Sequence, residues 1–367
     1  MPRHRSLNLK RFVDSIPGNL MEQYLFRACN KIFRLEAYDY EVVDRFLESL
    51  TDQELKHSIL EDFTHINDIG EKVMNILVKA VDKYGIETTG EETKQELAMH
   101  LFLNHPEAFA YAYDYYCLFN ATSKMSYHKM PPSDCVITPE KIGKFKERII
   151  EFYSNLAKDH ECLVRHYDEI DQVVIVVIHG SYPRSVSTWQ RGDLDTIFFR
   201  PAKEDILQFN KKVSLLSIKA PYKKDKINYI NAFQQTILED NSQLDDSERD
   251  ATYTLEPLQK GIFNYAGNEV IESITLLEVK LAIRGSTNPE ITIRSSDVLK
   301  TLRDDIAGID LGSGDLVHVK LMFRLEADGK SRKVAFEITP PNVTDLTTKK
   351  YADVISAYLT ENGVKLV

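Results

Sequence analysis

The apolar residues in the first part of the chain recur at the three- and four-residue spacing of amphipathic helices. Between Asn19 and Leu35, the positions that share one face are Leu20, Tyr24, Leu25, Ala28, Ile32 and Phe33. Thr89 and Glu92 form a capping-box pattern. Thr138 with Pro139 is typical of a helix start and predicts a helix from about Pro139 to Lys158. We therefore expect a helical domain over residues 1–160.

The pattern changes after His166. Val173–Ile178 is a continuous run of β-branched residues, which indicates a strand that is buried on both faces. Further strands are predicted at about Thr196–Phe199, Ile206–Phe209 and Leu215–Ile218, followed by a helix at about Lys224–Leu238. The acidic stretch Glu239–Asp250 lacks apolar periodicity and predicts a joint. Residues 161–240 are thus expected to form a β-rich domain with one helix.

Residues 251–367 repeat one plan, a hairpin followed by a helix. The predicted hairpins are Leu276–Ile283 with Glu290–Ile293 and Val317–Leu325 with Lys333–Thr339; the predicted helices are Ser296–Asp305 and Lys349–Thr360. The connections between strands are mostly too short for parallel crossovers. The predicted fold class is therefore α+β, with a helical N-terminal domain and a mainly antiparallel β region that contains interspersed helices.

Composition and charge narrow the class of protein. The hydrophobic fraction of 43% and the charged fraction of 28% are typical of a globular protein. No apolar run approaches the ~20 residues of a membrane span, so no membrane contact is expected. The four cysteines are far apart, which disfavours a zinc site and fits reduced thiols in a cytoplasm. The net charge of −10 disfavours general coating of nucleic acid.

Candidate chemistry is concentrated in residues 173–200. An apolar strand leads to Gly180-Ser181, and Asp193-Leu194-Asp195 then opens a second apolar run. Acids at positions i and i+2 of a strand point the same way and can hold metal ions, while a Gly-Ser step can offer backbone N–H groups to phosphate. The pattern resembles the hGS…DhD motif of the DNA polymerase β-like nucleotidyltransferases, on Ile178, Gly180, Ser181, Asp193, Leu194 and Asp195.

The resemblance implies a Mg²⁺-dependent enzyme. Asp193 and Asp195 would hold the metal, Gly180 and Ser181 would contact the triphosphate, and Glu278 or Glu256 would supply a third carboxylate. The segment after Ser181 departs from the family, because its Pro183 and its Ser, Thr and β-branched residues favour extended chain over a helix. The alternative interpretation is a β-hairpin with a turn at Gly192-Asp193 and solvated acids.

Glu278-Val279-Lys280 resembles the E-x-K half of the PD-(D/E)xK nucleases, in which an acid and a lysine on one strand face serve metal and water. In that case the upstream acid has to come from a neighbouring strand, and Asp250 lies in the predicted joint. The same residues also fit the solvent face of a half-exposed strand. Both interpretations are open at this point.

Two basic segments are candidates for contact with nucleic acid. The first contains Arg3, Arg5, Lys10 and Arg11, and the second contains Lys223, Lys224 and Lys226. The alternative is a basic terminus and a solubilising turn.

The leading hypothesis is a non-catalytic interaction protein of a bacterial cytoplasmic system, because a long chain shows no complete catalytic constellation. The segments RPAKEDILQF and YTLEPL, with the helical first part, are similar to uncharacterised bacterial proteins. The resemblance implies a bacterial cytoplasmic origin and supplies no activity to carry over. The expected partner is another protein, with nucleic acid as the alternative and phage defence or a mobile element as a setting. No cofactor is expected, except Mg²⁺ in the nucleotidyltransferase alternative. The sequence leaves the oligomeric state open.

Overall fold

The computed structural model describes residues 7–29, 37–72, 74–119, 124–132, 135–155, 162–190, 193–242, 245–283, 285, 287, 289–327 and 329–366. Contacts divide the chain into two compact units, Met1–Thr122 and Ser123–Val367.

The first unit is helical in its described part. Its helices are α1 (Leu9–Val13), α2 (Gly18–Cys29), α3 (Tyr40–Ser49), α4 (Gln53–Lys72), α5 (Met74–Tyr84), α6 (Lys94–Asn104) and α7 (Pro106–Phe119). A capping box of Thr93 and Glu96 starts α6, four residues after the predicted pair, while Glu92 accepts from the backbone of Thr89. The aromatic run of α7 is core, with Tyr111 and Tyr115 fully buried.

The second unit begins with β1 (Met125–Lys129) and α8 (Pro139–Ser154), whose N-cap is Thr138. The next elements are β2 (Cys162–Asp168), β3 (Gln172–Gly180), β4 (Arg184–Gln190), β5 (Asp193–Phe199), β6 (Ala202–Asn210), β7 (Leu215–Lys219) and α9 (Lys223–Ala232), which continues into a π-helical turn, Phe233–Ile237. The last are α10 (Asp246–Asp250), α11 (Glu256–Gln259), β8 (Ile271–Ala282), β9 (Glu290–Arg294), α12 (Val298–Asp304), β10 (Asp315–Ala327), β11 (Lys330–Thr339), β12 (Val343–Thr344), a 3-10 turn (Leu346–Thr348) and α13 (Ala352–Glu361).

Ten of these strands form one sheet in the described part, in the order β2-β3-β6-β7-β1-β12-β11-β10-β8-β9, and all pairs are antiparallel. The order is nearly symmetric about the β1–β12 pair. On one side the hairpin β6–β7 leads through Pro221 into α9, and on the other β10–β11 leads through Pro340-Pro341 towards α13. The outer neighbour of each hairpin is a strand from earlier in the chain, β3 beside β6 and β8 beside β10.

Each half of the sheet has its own apolar packing. Residues of α8, α9 and the π-helical turn form one buried cluster with β3, β6 and β7. In the other half, the ring of Tyr358 on α13 lies 5.8 Å from Phe323 on β10 and 6.2 Å from Phe263. Burial of both faces explains the apolar run Val173–Val177 in β3, since all five residues are fully buried.

The predicted fold class is confirmed: the molecule is α+β, with its helices first and a large antiparallel sheet after them. The domain boundaries differ from those expected. The units divide at Thr122, not at residue 160, because β1 pairs with β7 and β12 and α8 packs in the cluster with β3. The regions 161–240 and 251–367 share one sheet and are not separate domains. No helix in the described part is long and apolar enough to cross a membrane.

Candidate functional site

Two strands in the middle of the chain stand outside the large sheet. Arg184–Gln190 and Asp193–Phe199 pair antiparallel with each other, and in the described part neither pairs with any other strand. We call this hairpin the β-arm. The β-arm corresponds to the β-hairpin interpretation of this segment. The chain after Gly180-Ser181 is extended, whereas the nucleotidyltransferase family has a helix at that point.

The Gly-Ser step forms the root of the β-arm. Gly180 ends β3 and pairs with Ala202 on β6, so the chain leaves and re-enters the large sheet at neighbouring positions. The Ser181 amide donates to the Pro201 carbonyl at 2.8 Å, and the Arg200 guanidinium donates to the Ser181 carbonyl at 3.0 Å. The N–H group that the family would offer to a triphosphate is therefore already paired.

The two faces of the β-arm differ in charge. In a hairpin, residues directly opposite each other share a face. One face consists of the pairs Ser185–Phe198, Ser187–Thr196 and Trp189–Leu194. None of these six residues is charged, and we call them the uncharged face. The opposite face carries Arg184 and Asp195 as well as apolar residues.

Every described side chain of the β-arm is exposed. Among its large apolar side chains, the three on the uncharged face are the most exposed: Trp189 at 74%, Leu194 at 67% and Phe198 at 80%. On the other face Val186, Ile197 and Phe199 lie between 41% and 47%. A soluble chain that leaves such residues in water normally covers them with a partner.

The structure does not bring the predicted nucleotidyltransferase residues together. Asp195 is exposed, and its carboxylate accepts from the Thr196 amide at 2.7 Å. It lies four residues, about 13 Å of extended strand, from the root end of β5. The side chain of Asp193 is outside the described part. Glu278 lies on β8, seven strand positions from β3 and thus about 30 Å away along the sheet.

The Glu256 alternative does not complete that site. Glu256 begins the short helix α11, and its carboxylate pairs with Lys260.

A buried polar network lies next to the root of the β-arm. The Asp205 carboxylate accepts from the Tyr229 hydroxyl at 2.9 Å and lies 3.1 Å from Nε2 of His179. Nδ1 of His179 lies 3.0 Å from the Gly180 carbonyl, so both ring nitrogens face acceptors. Tyr153 stacks on the imidazole and bonds the Tyr229 hydroxyl at 2.6 Å. The network ties β3 and β6 to α8 and α9.

Burial, followed by the nearby Asp205 charge, raises the pKa of Tyr229 well above its ordinary value, so this phenol stays a donor. The group is a hydrogen-bonded, buried anchor at the root of the β-arm.

The predicted basic segments are partly described. Arg3 and Arg5 lie outside the described residues. Lys10 is exposed and pairs with Asp14 at 3.1 Å, and the Arg11 amide is capped by Asn8.

Lys223 and Lys224 are exposed at the start of α9. Lys226 is partly covered, and burial lowers its pKa although the nearby Asp205 charge acts in the opposite direction. Buried Asp225 lies in the first turn of α9 and offsets the cations there.

A second candidate site is a cleft of about 490 Å³ on the open face of β8–β11. Its polar lining includes Lys124, Glu278, Lys280, Arg294, His318 and Glu337. The sheet register sets Arg294, Glu278, Lys320 and Glu337 side by side on successive strands, so that charges alternate across the face.

The charges of this cleft are satisfied by each other. Arg294 donates to Glu278 at 2.9 Å, and Lys124 and Lys320 reach Glu337 at 2.7 and 3.4 Å. Burial alone would raise the pKa of Glu337, but the two lysines outweigh it and lower the pKa. Burial, assisted by the charge of Lys124, lowers the pKa of His318.

Glu278 and Lys280 do share one face, as the E-x-K resemblance requires. The upstream acid named for that motif, Asp250, lies elsewhere: it bonds His128 on β1. Among the described residues, no three His, Cys, Asp or Glu side chains are placed to hold one metal ion. The arrangement fits the solvent face of a half-exposed strand.

Asp250, His128 and Ser126 form a chain of hydrogen bonds that the sequence did not reveal, and we call this chain the relay. Nδ1 of His128 lies 2.7 Å from the Asp250 carboxylate, and Nε2 lies 3.0 Å from the Ser126 hydroxyl. Ser126 is only 2% exposed within the central strand β1, so the relay connects α10 to the sheet. Burial alone would raise the pKa of Asp250, but hydrogen bonds from His128 and Arg249 lower it.

Neither the relay nor the network around Asp205 has a local sequence signal. Ser126 and Asp250 are more than a hundred residues apart, and β1 is a five-residue strand between predicted helices. The chain matches no protein-family model and no curated protein.

Proposed function

We propose that the chain is a non-catalytic interaction protein that binds another protein through the uncharged face of the β-arm. The observation that carries the proposal is the exposure of Trp189, Leu194 and Phe198 on one face that has no charge. Tryptophan and other aromatic residues dominate the binding energy of protein interfaces, and exposed clusters of this kind mark contact surfaces.

The chemistry of the uncharged face favours a protein over nucleic acid. Binding to DNA or RNA depends first on cations that neutralise phosphates. Ser185, Ser187 and Thr196 can donate hydrogen bonds, but the face offers no lysine or arginine. Apolar side chains with hydroxyl groups between them instead suit a protein surface, where they exclude water and satisfy polar neighbours.

The nucleotidyltransferase alternative has less support. It needs two metal-holding carboxylates, a third acid and a phosphate cradle in one place. Asp195 is on the β-arm, Glu278 is on the far half of the sheet, and the Ser181 amide is bonded to Pro201. A bacterial cytoplasmic setting is part of the proposal and is supported by the four cysteines, all of which are thiols.

Site-specific photo-crosslinking tests the proposal. A photoreactive phenylalanine analogue is placed at Phe198 and, as the control, at Ile170, which is 94% exposed in the turn between β2 and β3. Irradiation in the source cells should give a discrete protein adduct from position 198 and no comparable adduct from position 170.

The adduct must then be confirmed with purified components. The crosslinked protein should shift the emission of Trp189, the only tryptophan of the chain, to shorter wavelength. Phe198→Ser should weaken the complex by about 30-fold, as loss of an interface anchor does. Equal adducts at positions 198 and 170, or an unchanged Trp189 spectrum, would count against the β-arm as the contact surface.

A further inference from the structure

The uncharged face of the β-arm has three properties that bear on its partner: its lack of charge, its exposed area and its pattern of large and small residues. We propose that it binds the same face of a second copy of this chain, so that two β-arms stack across a two-fold axis. This inference rests on the proposed function, because it names the partner of the same surface.

The absence of charge is the first argument. In a symmetric dimer the same patch meets itself, so a charge that has no opposite charge at the matching position is buried unpaired. On the opposite face, neither Arg184 nor Asp195 would meet an opposite charge across a two-fold axis parallel to the strands. The uncharged face is the one that can meet itself without like-charge repulsion and without burial of an unpaired charge.

The area of the face is the second argument. An aromatic side chain covers about 150–250 Å², and Trp189, Leu194 and Phe198 are 67–80% exposed. These three side chains therefore present about 400 Å² on each copy. With the three hydroxyl residues and the neighbouring backbone, two copies would bury about 1,000 Å², the area that a specific interface has to reach.

The pattern of large and small residues is the third argument. Stacked sheets interdigitate about 10 Å apart. With a two-fold axis parallel to the strands, Trp189 would face the partner subunit's Leu194, and Phe198 would face the partner subunit's Ser185. The middle row, Ser187 with Thr196, would face its own copy, and its hydroxyls could pair there. Large side chains thus face smaller ones along the whole face.

A concentration series of the purified full chain tests the dimer. Molar mass is measured by light scattering or sedimentation, and the emission of Trp189 is recorded on the same samples. The mass should double with a midpoint on the order of micromolar for an interface of this size. The Trp189 emission should move to shorter wavelength with the same midpoint, since this residue lies in the interface.

Two variants locate the contact. Phe198→Ser retains the Trp189 reporter and should raise the dissociation constant by about 30-fold. Ile170→Ser removes an exposed apolar residue outside the β-arm and should leave the constant unchanged. Circular dichroism and thermal unfolding check that each variant is folded.

A charge exchange gives a readout that misfolding cannot imitate. Thr196→Glu and Thr196→Lys each place like charges in the middle of the stack, and each alone should weaken the dimer by about 100-fold. An equimolar mixture of the two should dimerise again, because opposite charges then meet.

The outcomes separate this inference from the proposed function. Dimers without a Trp189 shift, or a mixture of Thr196 variants that stays monomeric, would overturn stacking of the β-arms. A chain that is monomeric at all concentrations, with Trp189 open to a soluble quencher, would also overturn it. In that last case a different protein can still bind the β-arm. A photo-crosslinked adduct at position 198 whose mass differs from that of the dimer would then support the proposed function.

Discussion

Removal of the Asp205 carboxylate should destabilise the second unit more than any surface change. Asp205 is 1% exposed, and its Oδ2 atom contacts both the Tyr229 hydroxyl and Nε2 of His179. In Asp205→Ala the Tyr229 hydroxyl and Nε2 of His179 both lose this buried hydrogen-bond partner. Each buried group left unsatisfied costs about 1–3 kcal/mol, so the two together cost about 4 kcal/mol.

The expected loss is therefore about 4 kcal/mol, which corresponds to a decrease in Tm of about 10 °C for a unit of this size. Tyr153→Phe removes one hydroxyl from the edge of the same network and should cost only about 1 kcal/mol. Asp171→Asn is the matched control, because its ion pair with Lys212 is solvent-exposed and contributes about 0–1 kcal/mol.

Calorimetry or near-ultraviolet circular dichroism measures the three variants side by side. We expect the order Asp205→Ala, Tyr153→Phe, Asp171→Asn from the largest loss to the smallest. If Asp205→Ala loses no more stability than Asp171→Asn, the network does not anchor the root of the β-arm as described.

Three further outcomes can be measured directly. Asp250 has a lowered pKa in the folded state, so its stabilisation is present above the unfolded pKa of about 3.9 and is lost as pH falls through the folded value. Asp250→Asn should therefore show a smaller decrease in Tm than the native chain between about pH 5 and about pH 3. Mg²⁺ with ATP should shift Tm equally in the native chain and in Asp195→Asn; a shift that the variant loses would revive the nucleotidyltransferase. Short duplex DNA at low salt should leave Trp189 emission unchanged, and any weak binding should decrease in Lys223→Gln/Lys224→Gln; a DNA-induced shift of Trp189 would contradict a protein-binding face.

The fold class followed from patterns that act locally. The all-apolar run of β3 specified a buried strand, and Thr138-Pro139 specified the start of α8, because capping and burial depend on neighbouring residues. The domain boundary depended on β1, a five-residue strand that pairs with β7 and β12. Such pairing is non-local and leaves no periodic trace in a short segment.

The candidate site was predictable only in part. Alternating residues in Arg184–Phe199 are consistent with a hairpin, but nothing in them shows that the hairpin would lie outside the large sheet. Asp193 and Asp195 were grouped with Gly180 because they are near in sequence, whereas the structure puts Asp195 well along the β-arm and the Gly-Ser step at its root. The partners of His179 and His128 come from distant segments, so spacing could not identify them.

The most direct measurement of the proposed function compares two adjacent positions of the β-arm. Phe198 lies on the uncharged face and Phe199 on the opposite one, so a photoreactive residue at each samples a different side of the same strand. We expect a strong protein adduct from position 198 and a much weaker one from position 199. Equal adducts, or a stronger adduct from position 199, would contradict binding through the uncharged face.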